Sequence, residues 1–162
     1  MTGALAFLAF LIVQRLAELA LARRNTAALL ARGAVEHAAG HYPLIVALHG
    51  AWILTLVALG WNAPLHLGWL GVFVLLQVFR VWILASLGAR WTTRIIVLNA
   101  PLVARGPFRL MRHPNYALVV AEIAVAPLVL GLPWVALVFS ILNAAMLTVR
   151  IRAENAALAH LR

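Results

Sequence analysis

The sequence predicts an all-α integral-membrane protein of five transmembrane helices, the last two forming a tight, short hairpin, with the N-terminus outside and the C-terminus in the cytoplasm. Three observations lead there. Of 162 residues, 65% are hydrophobic and only 10% charged, where globular chains carry about 25% charged. The apolar residues gather into five runs. Arginines crowd alternate links between the runs and are missing from the others. A bilayer-crossing helix takes about 20 mostly apolar residues, and an excess of Arg and Lys marks the cytoplasmic loops. One membrane domain covering residues 1–162 is the expected organisation.

The first run, 3–22, is apolar from the outset. No basic segment precedes it and no small-residue cleavage site interrupts its approach to Arg15 and Glu18, so it reads as a retained span rather than a signal peptide. Arg15 and Glu18 lie three apart and can pair on a helix. The link 23–41 carries Arg23, Arg24 and Arg32 and is assigned to the cytoplasm. Within it, RNTAALLARGAVEHAAGHY (24–42) has apolar residues at helical spacing and a charged side, the pattern of an interfacial or connecting helix. The second run, 42–60, leads through WNAPLHLG, which has no arginine, into the third, 66–88. The link 89–114 then carries Arg90, Arg94, Arg105, Arg109 and Arg112 and returns the chain to the cytoplasm.

Runs four and five, 115–130 and 133–149, are short for full spans. The neutral GLP between them fits two adjacent antiparallel helices, with Gly131 ending one and Pro133 in the first turn of the next. Pro127 is expected to kink run four or open its backbone ladder. Residues 150–162, with Arg150, Arg152 and Arg162, continue at the cytoplasmic face.

Composition also excludes chemistry. The absence of cysteine rules out disulfides, thiolate catalysis and Cys-ligated metal. No His, Asp or Glu cluster has metal-ligand spacing, so no metal is expected. Thirteen basic residues oppose four acidic ones, but they flank apolar runs, which orientation explains better than nucleic-acid binding. The expected partners are membrane lipids and a lipophilic small molecule. Nothing in the sequence sets an oligomeric state.

Charges inside the runs need partners. Arg80 lies well inside run three, at a cost of a few kcal/mol unless it pairs or snorkels. Glu122, seven residues after Asn115 and on nearly the same face of run four, is its natural complement. The pair either holds the helices together or lines a ligand cavity. Asn143, Arg150 and Glu154, spaced by seven and four, share one face of a continuous helix and aim a cation and a carboxylate at one locus.

The densest charge is in GPFRLMRHPNY (106–116), with Arg105 just ahead of it. Its glycine and prolines prevent regular helix before His113, and irregular backbone near a membrane persists where it is buried or lines a polar cavity. His113 and Tyr116 open run four, where unpaired helix N-terminal amides point. The combination suits a carboxylate-bearing or nucleoside-like ligand. The alternative is arginines anchored to headgroups and a structural histidine.

GPFRLMRHPNY, followed by RIRAEN (150–155), resembles the isoprenylcysteine carboxyl methyltransferase family, whose members carry a G-P-[YF]-R…R-H-P-x-Y block and an R-x-x-x-E-E block. The resemblance is best over 87–158. LIVQRLAELALARRN, ARGAVEHAAGHYPLIVALH and SLGARWTTRIIVL are similar to a bacterial branch of small members, some of which accompany type III polyketide synthases and O-methylate alkylpyrones or alkylresorcinols. The resemblance implies S-adenosylmethionine, bound at the cytoplasmic side by Gly106, Pro107, Arg109, His113, Pro114 and Tyr116. It implies catalytic roles for Arg150 and Glu154, with Asn143, Glu122 and Arg80 lining a cavity. Asn155 replaces the second glutamate of the block.

The implied activity is methyl transfer to a lipophilic acceptor at the cytoplasmic membrane of a bacterium, by O-methylation of a small alkylated phenol or pyrone or of a prenylcysteine-type carboxylate. Phospholipid N-methylation and a non-catalytic membrane binding protein are the alternatives. Arg150 is expected to orient the acceptor oxygen. Glu154 or His113 would act as base for a phenol of pKa about 10, whereas a carboxylate or an acidic hydroxypyrone would need no base; Glu154 would otherwise hold the cofactor's amino group.

Overall fold

The computed structural model describes residues 2–159, so Arg162 lies outside the described residues. Five α-helices follow the five apolar runs: α1 Thr2–Ala31, α2 Tyr42–Gly60, α3 Leu67–Leu87, α4 Pro114–Val129 and α5 Pro133–Ala157. Four of these segments are long and apolar enough to cross a membrane, and α4 is a shorter apolar helix. At 1.5 Å per residue its 16 residues reach only about 24 Å against a hydrocarbon core of about 30 Å.

α4 tolerates being short because its neighbours enclose it. Leu118, Glu122, Ile123, Val125, Ala126, Pro127 and Val129 are all buried. Ile123, Val125, Ala126 and Val129 pack in one cluster with Trp52 and Leu56 of α2 and with Phe7 and Phe73, whose rings meet edge-on at 5.1 Å, while Leu118 packs with Ala22, Ile83 and Trp91. Backbone surrounded by protein need not span lipid.

The hairpin between α4 and α5 forms as expected. The Gly131 and Leu132 amides return to the Leu128 and Pro127 carbonyls at 3.1 and 2.9 Å. Gly131 adopts φ +67°, and a Cβ there would meet His66 Nε2 at 2.8 Å. Pro127 sits in the last turn of α4, and the helix runs on through it to Val129.

Three expectations need correction. The stretch 24–42 is not a separate interfacial helix: α1 continues unbroken to Ala31, turns at Gly33 where the Ala34 amide caps the Leu29 carbonyl at 3.1 Å, and enters a strand. That strand, β1 (Val35–His37), pairs antiparallel with β2 (Ile95–Val97), so the chain is not purely α. The β-branched residues Val35, Ile95, Ile96 and Val97 favour this pairing. Finally, α5 is not short: it extends through RIRAEN to Ala157, a full 25 residues.

The charges inside the bundle form one cluster. Arg80 pairs with Glu122 as expected, and Arg15 joins them, donating to Glu122 at 2.6 Å and to Glu18 at 2.9 Å. Arg80 also contacts Glu18. Gln77 donates to Glu122 at 3.0 Å, and Gln14 donates to Gln77 at 2.7 Å. Two arginines and two glutamates thus close a neutral knot between α1, α3 and α4.

Candidate functional site

The site grows from the irregular segment between β2 and α4. Gly106 holds φ +58° against α3, and a Cβ there would fall 2.1 Å from Ser86 Oγ. Arg105 Nε donates to the Ser86 carbonyl at 2.8 Å and Pro107 is buried, which fixes the segment to the end of α3. Pro114 then opens α4, whose first turn closes when the Tyr116 and Ala117 amides donate to the His113 carbonyl. With that turn set, the His113 and Tyr116 rings stack at 5.3 Å.

From the other side α5 delivers its polar face. Tyr116 donates its hydroxyl proton to Glu154 and accepts from Arg150 Nε at 2.9 Å. A second Arg150 nitrogen donates to the Thr93 carbonyl at 2.6 Å. His113 Nδ1 lies 3.7 Å from Glu154, and its Nε2 lies 3.3 Å from Asn155 Oδ1. Asn155, where the resembling block has glutamate, therefore offers His113 a neutral acceptor.

Of the residues expected at the site, His113, Tyr116, Arg150 and Glu154 are brought together. Gly106, Pro107 and Pro114 shape the backbone behind them, and Arg109 is exposed away from the pocket. Arg80 lines a second cavity. Glu122 is wholly enclosed in the ionic knot behind it. Asn143 is buried two turns before Arg150 on α5.

Two spaces meet at Tyr116 and Arg150. A polar pocket of about 160 Å³ is lined by Arg94, Arg112, His113, Glu154, Trp91 and Phe108 among others. A mostly apolar cavity of about 400 Å³ lies between α1 and α2, lined by Leu16, Leu19, Ile45, Val46, His49 and Ile53 with the knot beneath. Trp91, Asn115, Tyr116 and Arg150 belong to both. Leu16, Val46 and Leu54 line the cavity yet stay 61, 45 and 70% exposed, so it opens sideways between the two helices.

The two-stranded sheet braces this junction. Arg94 pairs with Glu36 at 2.9 Å and lies 4.5 Å over the Tyr42 ring. Tyr42 in turn bonds Thr93 Oγ1 at 3.0 Å. Tyr42, His49, Trp91 and Thr93 were not singled out by the sequence, and Arg94 entered only as one of the arginines that orient the 89–114 link. No local motif marks them, and Asn115 occupies the variable position of RHPNY.

Residues 69–160 match the family model of the isoprenylcysteine carboxyl methyltransferase (ICMT) family. The chain belongs to that family. The matched segment runs from the start of α3 through α5 and so contains the whole Tyr116–Arg150–Glu154 constellation. The ICMT family is a family of methyltransferases, and the apolar helices fit a multi-pass membrane protein. Two relatives extend the match nearly end to end. The uncharacterized protein YpbQ of Bacillus subtilis is 44% identical over 157 residues, 93% of this chain and 94% of the relative. An uncharacterized protein of Haemophilus influenzae is 26% identical over 161 residues, 94 and 93% of the two chains. No solved structure matches the chain.

Proposed function

We propose that this ICMT-family protein transfers a methyl group from S-adenosylmethionine to an oxygen of a small lipophilic acceptor, an alkylated phenol or pyrone, at the cytoplasmic face of a bacterial membrane. The observation that carries this reading is the meeting of a polar pocket and a laterally open apolar cavity at one pair of side chains, Tyr116 and Arg150. A water-soluble donor and a membrane-dissolved acceptor need separate entrances and a shared wall.

The polar pocket has the donor set for such a cofactor. Glu154 suits an ammonium, Arg94 and Arg112 a carboxylate, and Trp91 and Phe108 a flat heterocycle. When bound, the sulfonium supplies an electrophilic methyl group for in-line displacement. What remains for the protein is positioning. Arg150, held by Tyr116 and Thr93, directs cationic charge at the junction. His113, stacked on Tyr116 and set between Glu154 and Asn155, keeps that ring in place. The arginine-rich links at 23–41 and 89–114 support the assignment of this face to the cytoplasm.

The first test is calorimetric binding of S-adenosylhomocysteine to the purified full-length protein and to His113→Ala. Micromolar binding by the wild type, weakened at least about tenfold (about 1.4 kcal/mol) in the variant, is expected. A folded wild type that binds neither S-adenosylhomocysteine nor S-adenosylmethionine would rule the reading out.

A further inference from the structure

Among the described residues, His49 is the one titratable side chain on the cavity wall that no neighbouring side chain claims. Every other titratable group lining that space is bonded to a neighbour's side chain: Arg15, Glu18 and Arg80 in the ionic knot, Tyr42 to Thr93, and Tyr116 and Arg150 to each other. His49 bonds only its own helix, through Nδ1 to the Ile45 carbonyl at 2.9 Å. A carbonyl can only accept, so Nδ1 carries the proton, and in the neutral ring Nε2 is left as a lone-pair acceptor. His49 follows Tyr42 by seven residues, nearly the same face of α2, and Arg15, Arg150 and Glu122 all lie within electrostatic reach of it.

The charges around the cavity decide what that acceptor is for. Arg15 and Arg80 are matched by Glu18 and Glu122, while Arg150 is bonded to the neutral Tyr116 hydroxyl and the Thr93 carbonyl, which leaves one cation at the cavity wall to face the acceptor oxygen. An acceptor that arrives already ionised can be held by Arg150 and needs no base. A neutral hydroxyl crosses the apolar part of the cavity without carrying a charge into it, but it must lose its proton to become a competent nucleophile, and the unclaimed Nε2 of His49 meets that need. Glu154 and His113, the bases suggested by the sequence, line the polar pocket and not this cavity.

We propose that His49 is the general base of the reaction and that the acceptor is a weakly acidic hydroxyl of phenol type, neutral when it binds. This rests on the methyltransferase reading. The acceptor's O–H proton passes to His49 Nε2 as the oxygen bonds the methyl carbon. The carbon–sulfur bond of the sulfonium donor breaks with its electron pair left on sulfur. The products are a methyl ether, a neutral thioether and an imidazolium that returns its proton to water.

The test uses the full-length protein in lipid nanodiscs, S-adenosylmethionine, and two acceptors: a 4-alkylphenol and its 2,6-dinitro analogue, a far stronger acid that is already ionised at neutral pH. General-base catalysis contributes about 10²–10⁴-fold. His49→Gln and His49→Ala are therefore expected to lower kcat/KM for the alkylphenol at least about 100-fold and to lose the acid limb of its pH profile, with the dinitrophenol changed less than about threefold. Their S-adenosylhomocysteine binding should match the wild type. Equal losses on both acceptors, or an acid limb that survives substitution, would overturn the role of His49. A wild type that binds the donor and methylates a prenylcysteine carboxylate but neither phenol overturns the acceptor class. A folded wild type that cannot bind the donor removes the methyltransferase reading and this inference with it.

Discussion

At the scale of single residues, Arg150 shows how much of the site depends on shape rather than charge. Its Nε and a terminal nitrogen donate in two fixed directions, to Tyr116 and to the Thr93 carbonyl. A planar guanidinium supplies both at once, whereas a lysine ammonium is a point charge on a flexible stem. Arg150→Lys is expected to lower methyl transfer about 10-fold and Arg150→Ala about 100-fold in a radiolabelled-donor assay, with S-adenosylhomocysteine binding still measurable. The convergence of Arg150 and Glu154, which meet at the Tyr116 hydroxyl, was legible, since residues four apart on a helix share a face. The pairing of His113 with Tyr116, three apart at a helix start, was legible for the same reason. Thr93 was not, because a backbone carbonyl leaves no mark in a sequence and only the strand pairing brings it within reach.

Among the elements, the α4–α5 hairpin is the most locally specified. The Gly131 turn bonds the last carbonyls of α4, and its left-handed conformation leaves room for His66. Gly131→Ala is expected to destabilise the protein by roughly 1–2 kcal/mol or more, because an alanine there is both strained and in contact with the imidazole. Gly71→Ala, in open space on α3, should be neutral or stabilising by up to about 1 kcal/mol. Thermal unfolding in detergent reads both. The sheet was the element that periodicity hid. Apolar spacing continues from α1 past Ala31, so 24–42 resembles helix throughout, yet Val35–His37 pairs with the wholly β-branched Ile95–Val97 once the chain turns at Gly33. Strands this short carry too little alternation to register as a pattern.

For the whole molecule, the ionic knot is the feature that joins the helices. Glu122 is completely buried between Arg15 and Arg80, and removing one member of a buried charge group leaves the others uncompensated. Glu122→Ala is expected to cost about 3–5 kcal/mol of stability, against less than about 1 kcal/mol for Glu36→Ala, whose partner Arg94 is exposed. Denaturant or thermal unfolding in a matched detergent distinguishes the two. The knot also explains why Arg80 is tolerated within an apolar helix: it never meets lipid.

The sequence by itself determined the membrane class, the order of five apolar helices, the tight hairpin, the Arg80–Glu122 pair and the family-bearing blocks around His113 and Arg150. All of these depend on hydropathy or on spacings of three to seven residues, which helix geometry converts directly into neighbours. Tertiary structure alone decided that Arg15 joins Glu122 across 107 residues, that α4 is enclosed, that a sheet carries Thr93 to Arg150, and that a cavity with His49 on its wall adjoins the polar pocket. Those contacts arise from which helix faces bury together, a choice made by packing the whole chain at once and not written into any single segment.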